Sequence, residues 1–165
     1  MNNAAFYINH LLLQPHPEGG YYKETYRSKG IIPAIALKDF NAERSYSTAI
    51  YYLLEQGDFS AFHKIKSDEC WHYYAGNTLL IHVLYNNGNY ACIKLGSAID
   101  KDEVLQFVVP ANTWFAAECA KESAFVLTGC TVAPGFDFAD FEMANKQTLL
   151  NTFPQHAGII SARCR

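Results

Sequence analysis

No basic stripe runs along this chain. Its 13 Lys and Arg residues are scattered among 16 Asp and Glu, for a formal charge of −3, so no continuous positive surface is available to neutralise a phosphate backbone. Nucleic acid is therefore not an expected partner. Long apolar runs are missing too. The opening stretch MNNAAFYINHLLLQPHP has no basic leader, and its run Leu11 to Leu13 is far too short for a signal core or a membrane span. The expectation is a soluble cytoplasmic protein with no membrane partner. Cysteine pairing is absent as a pattern: Cys70, Cys92, Cys119, Cys130 and Cys164 are an odd set with no CxxC, which suggests neither a disulfide framework nor a zinc knuckle. Internal repeats, low-complexity tracts and linkers are also lacking. With 165 residues, half of them apolar, the chain suits a single domain over 1–165 with one sizeable core.

What is present is β-texture. From Tyr21 to Thr131 short runs rich in Tyr, Phe, Ile, Val and Thr alternate with Gly, Asn, Asp and Pro at intervals of about ten residues. The expected strands are YYKETYRS, YSTAIYYLL, FSAFHKI, ECWHYYA, TLLIHVLY, YACIKLG, VLQFVVP, TWFAAEC and SAFVLTGCTV. Asn86, Asn87 and Gly88 supply a hairpin-like turn. Helical spacing at Phe6, Tyr7, Leu11 and Leu12, stopped by Pro15, predicts a short N-terminal helix; Met143, Leu149 and Leu150 predict a C-terminal one ending before Pro154. This describes an all-β barrel or sandwich with short terminal helices.

Within GDFSAFHKIKSDECWHYYAG, the residues Gly57, His63, Glu69 and Gly76 follow a G-x5-H-x5-E-x6-G spacing. That spacing sets His and Glu on neighbouring strands facing one interior, with glycines at the rim turns. It resembles the first cupin signature, in which a second, metal-binding His stands two residues after the first; that position is Ile65 here. The second cupin signature is matched by VVPANTWFAA, where Pro110 fits, Asn112 replaces a glycine and Phe115 replaces a ligand His. A catalytic metal needs about three protein ligands, so no metal and no cofactor are expected. His82 is a substitute ligand only if its strand faces inward, and His72 has the parity of the other face.

HPEGGYY, ETYRS, SDExWHYYAG, VVPANTWFAA and GCTVAPGF together resemble a small cupin family of bacteria, fungi and plants, from His16 to about His156. The resemblance implies a cupin double-stranded β-helix (a jelly-roll barrel), usually a homodimer, related in fold to sugar-nucleotide epimerases of the rhamnose pathway. Fold alone does not assign an activity.

Strict period-two alternation sends Trp71 and Tyr73 inward with Glu69, and Phe59, Ala61 and Ile65 inward with His63. His63 and Glu69 read as a catalytic pair, His63 transferring a proton and Glu69 orienting it; the alternative is a buried structural pair. Trp71, Tyr73, Phe59 and Ile65 are the expected pocket walls. On YYKETYRS the alternation separates Glu24 from Arg27. Each is a ligand contact, Arg27 for an anionic group, or the two pair at the surface or a dimer interface. PHPEGG offers His16 and Glu18 on either a lid or a plain connector. Cys130 has no basic neighbour in sequence and reads as packing rather than a nucleophile. Aromatics such as Tyr51, Tyr52, Tyr74 and Trp114 read as core filling rather than sugar platforms. The expected function is binding of a small polar metabolite, with epimerase- or isomerase-like chemistry on a carbohydrate-derived substrate, or a non-catalytic binding module.

Overall fold

A computed structural model describes residues 3–165. Two antiparallel sheets face each other. The first has six strands in the order β1-β2-β5-β12-β7-β10: Gln14–Pro15, Tyr21–Arg27, Thr48–Glu55, Phe125–Ala133, Asp68–Gly76 and Gln106–Val109. The second has five, β13-β6-β11-β8-β9: Glu142–Met143, Phe59–Lys64, Trp114–Cys119, Leu79–Leu84 and Tyr90–Leu95. A two-stranded ribbon, β3 (Ile31–Ile32) with β4 (Arg44–Ser45), lies outside them. This is the jelly-roll barrel expected, and all nine strands read from the sequence are present.

Apolar side chains from both sheets meet between them. Leu79, Ile81, Val83, Leu95, Val109 and Phe115 fill one end of the interior with almost no exposure, each fully buried side chain contributing about 1.5–3 kcal/mol. Helices cover the outer faces. Helix α1 (Ala4–Leu11) starts at Asn3, whose side chain accepts the Phe6 N–H, and ends where Leu12 turns left-handed at φ 57°; it packs with Leu13 over Leu53 and Leu127. Helices α2 (Lys146–Thr152) and α3 (Ala157–Arg163) lay Leu149 and Ile160 over Phe62, Leu84 and Ala116. Of the two C-terminal helices only α2 was expected from the sequence, since Pro154 hides the short apolar stripe of α3.

Three β-bulges decide which residues face inward. β2 spends Tyr26, Thr25 and Glu24 against Ala49 and Ile50 of β5. β6 spends four residues, Ser60 to His63, against Phe115 to Ala117 of β11. β7 spends Ala75, Tyr74 and Tyr73 against Leu127 and Thr128 of β12. Each extra residue reverses the parity of the strand beyond it and tightens the local twist.

Candidate functional site in the barrel

The opposite end of the interior holds a cavity of about 280 Å³, room for roughly nine groups the size of a water. Its floor and walls come from β2, β5, β6, β7 and β12 through Tyr22, Ile50, Tyr52, His63, Glu69, Trp71, Cys130 and Val132, together with Ile65 just past β6. Two loops complete it: His16 and Glu18 before β2, and Phe136, Asp137, Phe138 and Phe141 after β12.

The loop before β2 is part of the wall, neither lid nor plain connector. The Ala61 N–H donates to the Glu18 carbonyl (2.9 Å) and the Gly19 N–H to the His16 carbonyl (3.0 Å). The Tyr52 hydroxyl donates to the Gly19 carbonyl at 2.7 Å, and the Gly20 N–H donates to Asp58 at 2.8 Å. Gly19, at φ +118°, lies so close to β6 that an added Cβ would sit 2.1 Å from the Phe59 carbonyl oxygen. This packing drives Glu18 inward, leaving it 5% exposed.

Glu18, rather than Glu69, is the carboxylate on His63. The Nε2 of His63 stands 3.1 Å from Glu18 Oε2, while Nδ1 lies 2.8 Å from the Ala61 carbonyl oxygen. A carbonyl only accepts, so Nδ1 carries a proton and Nε2 is the ring nitrogen that faces the Glu18 carboxyl. The Ser60 hydroxyl donates to Glu18 Oε1 at 2.9 Å. His16 is the neutral neighbour: its Nδ1 accepts the Glu18 N–H at 3.3 Å, and burial lowers its pKa. With Nδ1 acting as acceptor, its 3.5 Å approach to Glu18 Oε2 is not an ion pair.

Glu69 stands elsewhere on the cavity wall, buried, with the Cys130 thiol as a partner. Burial first, and the Glu18 charge second, push its carboxyl up to about 8. Cys130 is pushed well above the usual thiol range, chiefly by burial and then by Glu69, so it is inert packing at neutral pH. The Trp71 indole nitrogen, at the same wall, is buried without a partner among the described residues.

Glu69 makes stability depend on pH. Its carboxyl is neutral in the folded protein and ionised in the unfolded chain between about 4.5 and about 8. The folded state thus binds more protons across that window, so this contribution is fully present below 4.5 and is lost as pH rises through 8. Glu69→Gln is expected to abolish the slope, so that its stability relative to wild type improves by a few kcal/mol between pH 4 and pH 9. Denaturant melts across that range measure it; parallel curves for the two proteins contradict it.

Of the expected wall residues, the structure places Ile65, Trp71, Glu24 and Arg27 at the cavity together with His63 and Glu69. Phe59 is a correction: the β6 bulge turns it outward, where it lies under the guanidinium groups of Arg163 and Arg165. Tyr73 is another. It does not line the cavity, packing instead against the apolar end of the core while its hydroxyl donates to the Gly76 carbonyl. Arg27 is corrected in role. The β2 bulge brings it beside Glu24, which takes its Nε and Nη2 at 3.0 and 2.7 Å, and Nη1 donates to the Phe136 carbonyl at 3.1 Å. Its guanidinium is therefore engaged by the protein rather than held open for an anion. Sequence reasoning missed the Phe136–Phe141 segment and read Tyr52 only as core filling, while Tyr22 lines the cavity on the same face of β2 as Glu24. Glu18 was noticed only as available; its signal was the adjacent glycine pair.

The residues do not fit a cupin metal. Ile65 and the fully buried Phe115 hold the two replaced ligand positions, and the Phe115 ring packs 4.1 Å from that of His63. Among the described residues no group of three His, Cys, Asp or Glu is arranged to hold a metal ion. His82 is committed to Tyr90 and Glu118, and His72 to Thr131 and Gln106. Elemental analysis of the purified protein is expected to find well below one Zn, Fe, Mn or Ni per chain. One tightly held ion on His63 contradicts that expectation.

No helix among the described residues is long and apolar enough to cross a membrane. Comparison with known proteins agrees with the architecture. A hypothetical protein from Leishmania major superposes with a TM-score of 0.92 at 32% identity, covering 99% of each chain. Protein SO0799 of Shewanella oneidensis gives a TM-score of 0.88 at 35% identity over 100% of this chain and 99% of that one. The uncharacterized protein YML079W of Saccharomyces cerevisiae is 33% identical over 81% of this chain and 71% of its own length. Oxalate decarboxylase of Bacillus subtilis shares the fold alone, with a TM-score of 0.55 at 14% identity over 90% of this chain and 36% of that one. The family model for Cupin superfamily (DUF985) matches residues 5–144, and the chain belongs to that family.

Proposed function

We propose that the barrel binds a small polar metabolite in this cavity and that the Glu18–His63 pair exchanges a proton with it, as an epimerase- or isomerase-like enzyme on a carbohydrate-derived substrate. The observation that carries this reading is the close approach of His63 Nε2 to Glu18 Oε2, 3.1 Å apart, at the wall of a partly apolar cavity. A histidine and a carboxyl group held together beside a ligand are suited to giving or taking a proton. His63 keeps the acid/base role read from the sequence; the orienting role passes from Glu69 to Glu18. The cavity volume suits a monosaccharide-sized ligand, so the nucleotide of a sugar nucleotide would lie outside.

One observation favours a non-catalytic binding module instead: His63 Nδ1 is bonded to the Ala61 carbonyl, Nε2 lies against Glu18, and each Arg27 nitrogen already donates within the protein. The two readings part on one experiment. A ligand found by thermal-shift screening is incubated with the protein in D2O. Deuterium entering a carbon position, lost in Glu18→Gln, supports the enzyme; binding without exchange supports the module.

The homodimer is proposed on the open edge of β10, where Leu105 and Val108 are about half exposed and a two-fold partner would cover them. Light scattering at micromolar concentration is expected to give twice the chain mass; a monomer contradicts it.

A further inference from the structure

The cavity lining is unbalanced in charge. Glu18, Glu24, Glu69 and Asp137 bring four carboxyl groups against one guanidinium, that of Arg27, and Glu24 already consumes it. His63, 3.1 Å away, accounts for Glu18. Of the remaining two, Asp137 is exposed and accepts the Ala139 N–H, whereas Glu69 is 7% exposed and has no cation of the protein assigned to it. An anionic ligand would find carboxylates and no free guanidinium or ammonium at this wall. The other lining groups are aromatic, Trp71, Tyr22 and Phe138 among them, and the faces of such rings attract cations.

We propose that the cavity selects a small ligand bearing an ammonium group, seated against Glu69 and the aromatic walls. The inference rests on the reading of the cavity as the ligand site and adds the chemical class of what enters it. The upward shift of Glu69 agrees: burial and the Glu18 charge hold it neutral at pH 7, and a cation beside it offsets both causes by stabilising the carboxylate. An amino alcohol or amino sugar carries such a group.

Three compounds of nearly one shape test the charge rule: 3,3-dimethylbutylamine, 3,3-dimethylbutan-1-ol and 3,3-dimethylbutanoate. Their affinities are measured at pH 8 by calorimetry on the full chain, on Glu69→Gln, and on Phe59→Ala as a control outside the cavity. The expected order is amine above alcohol above acid, with the amine at least tenfold tighter than the alcohol. Glu69→Gln reduces that preference to less than threefold while still binding the alcohol, which also shows that the variant is folded. Phe59→Ala keeps the wild-type order. Equal binding of amine and alcohol, or a preference for the acid, overturns the ammonium inference and leaves the cavity reading standing. Amine preference that survives in Glu69→Gln overturns it too. Binding of none of the three overturns the inference and the cavity reading together.

Discussion

Asp140→Ala is expected to destabilise the protein by about 3–5 kcal/mol, the largest effect of any single side-chain truncation proposed for it. Arg44 donates from Nε and Nη2 to the two Asp140 oxygens at 2.6 and 2.8 Å, and both side chains are about 95% buried. Removing the carboxylate strands a guanidinium that cannot shed its proton. Lys66, 3.9 Å from Asp140, loses a neighbour at the same time and offers no compensation. The pair also pins the segment from Phe136 to Phe141 that roofs the cavity, so ligand affinity should fall with stability. The double variant Arg44→Met with Asp140→Leu is expected to recover most of the loss, because replacing a buried pair by apolar groups removes the desolvation cost. Urea melts measure both. A loss below about 1 kcal/mol in Asp140→Ala would show that water reaches Arg44 and that the pin is weak.

Gly19→Val should be nearly as damaging. The added Cβ meets backbone, the Phe59 carbonyl oxygen at 2.1 Å and its carbon at 3.1 Å, and β6 cannot retreat without moving His63. The φ of +118° adds strain for any side chain. We expect a loss of about 3 kcal/mol or more, with ligand binding abolished even in the folded fraction because Glu18 is the preceding residue. Gly57→Ala is the matched control. Its φ is +89° but no atom lies within 4 Å of the new Cβ, so the cost is limited to roughly 1 kcal/mol and the cavity is untouched. If the two variants lose equal stability, the close packing of the loop on β6 is wrong.

The barrel was legible in the sequence because strand-forming residues, turn residues and the Gly57, His63, Glu69, Gly76 spacing all act over short distances. Which residues face the cavity was less legible. Alternation placed Trp71, Ile65, His63 and Glu69 correctly, since no bulge separates Glu69 from Trp71 or His63 from Ile65. It failed for Phe59, across the bulge of β6, and it separated Glu24 from Arg27 where the bulge of β2 brings them together. Tyr73, on the same side of the β7 bulge as Trp71, does face inward but packs on the apolar core beyond the cavity. A bulge leaves no mark in composition, because the extra residues, Thr25, Tyr74 and one within Ser60–His63, are ordinary strand formers. Glu18 was hidden for another reason: its approach to His63 spans 45 positions and depends on how the Pro15–Gly20 loop docks. The pairing of Arg44 with Asp140, 96 residues apart, is hidden in the same way.

The account turns on the cavity built around Glu18 and His63 being the place where a small ligand binds. A thermal-shift screen of small polar metabolites, run in parallel on wild type, Glu18→Gln, His63→Ala and Phe59→Ala, tests this most directly. The predicted result is that compounds raising the wild-type Tm raise that of Phe59→Ala equally and fail to raise those of Glu18→Gln and His63→Ala, although both variants still melt cooperatively. Equal shifts in all four proteins, or no compound that stabilises the wild type, would contradict the account.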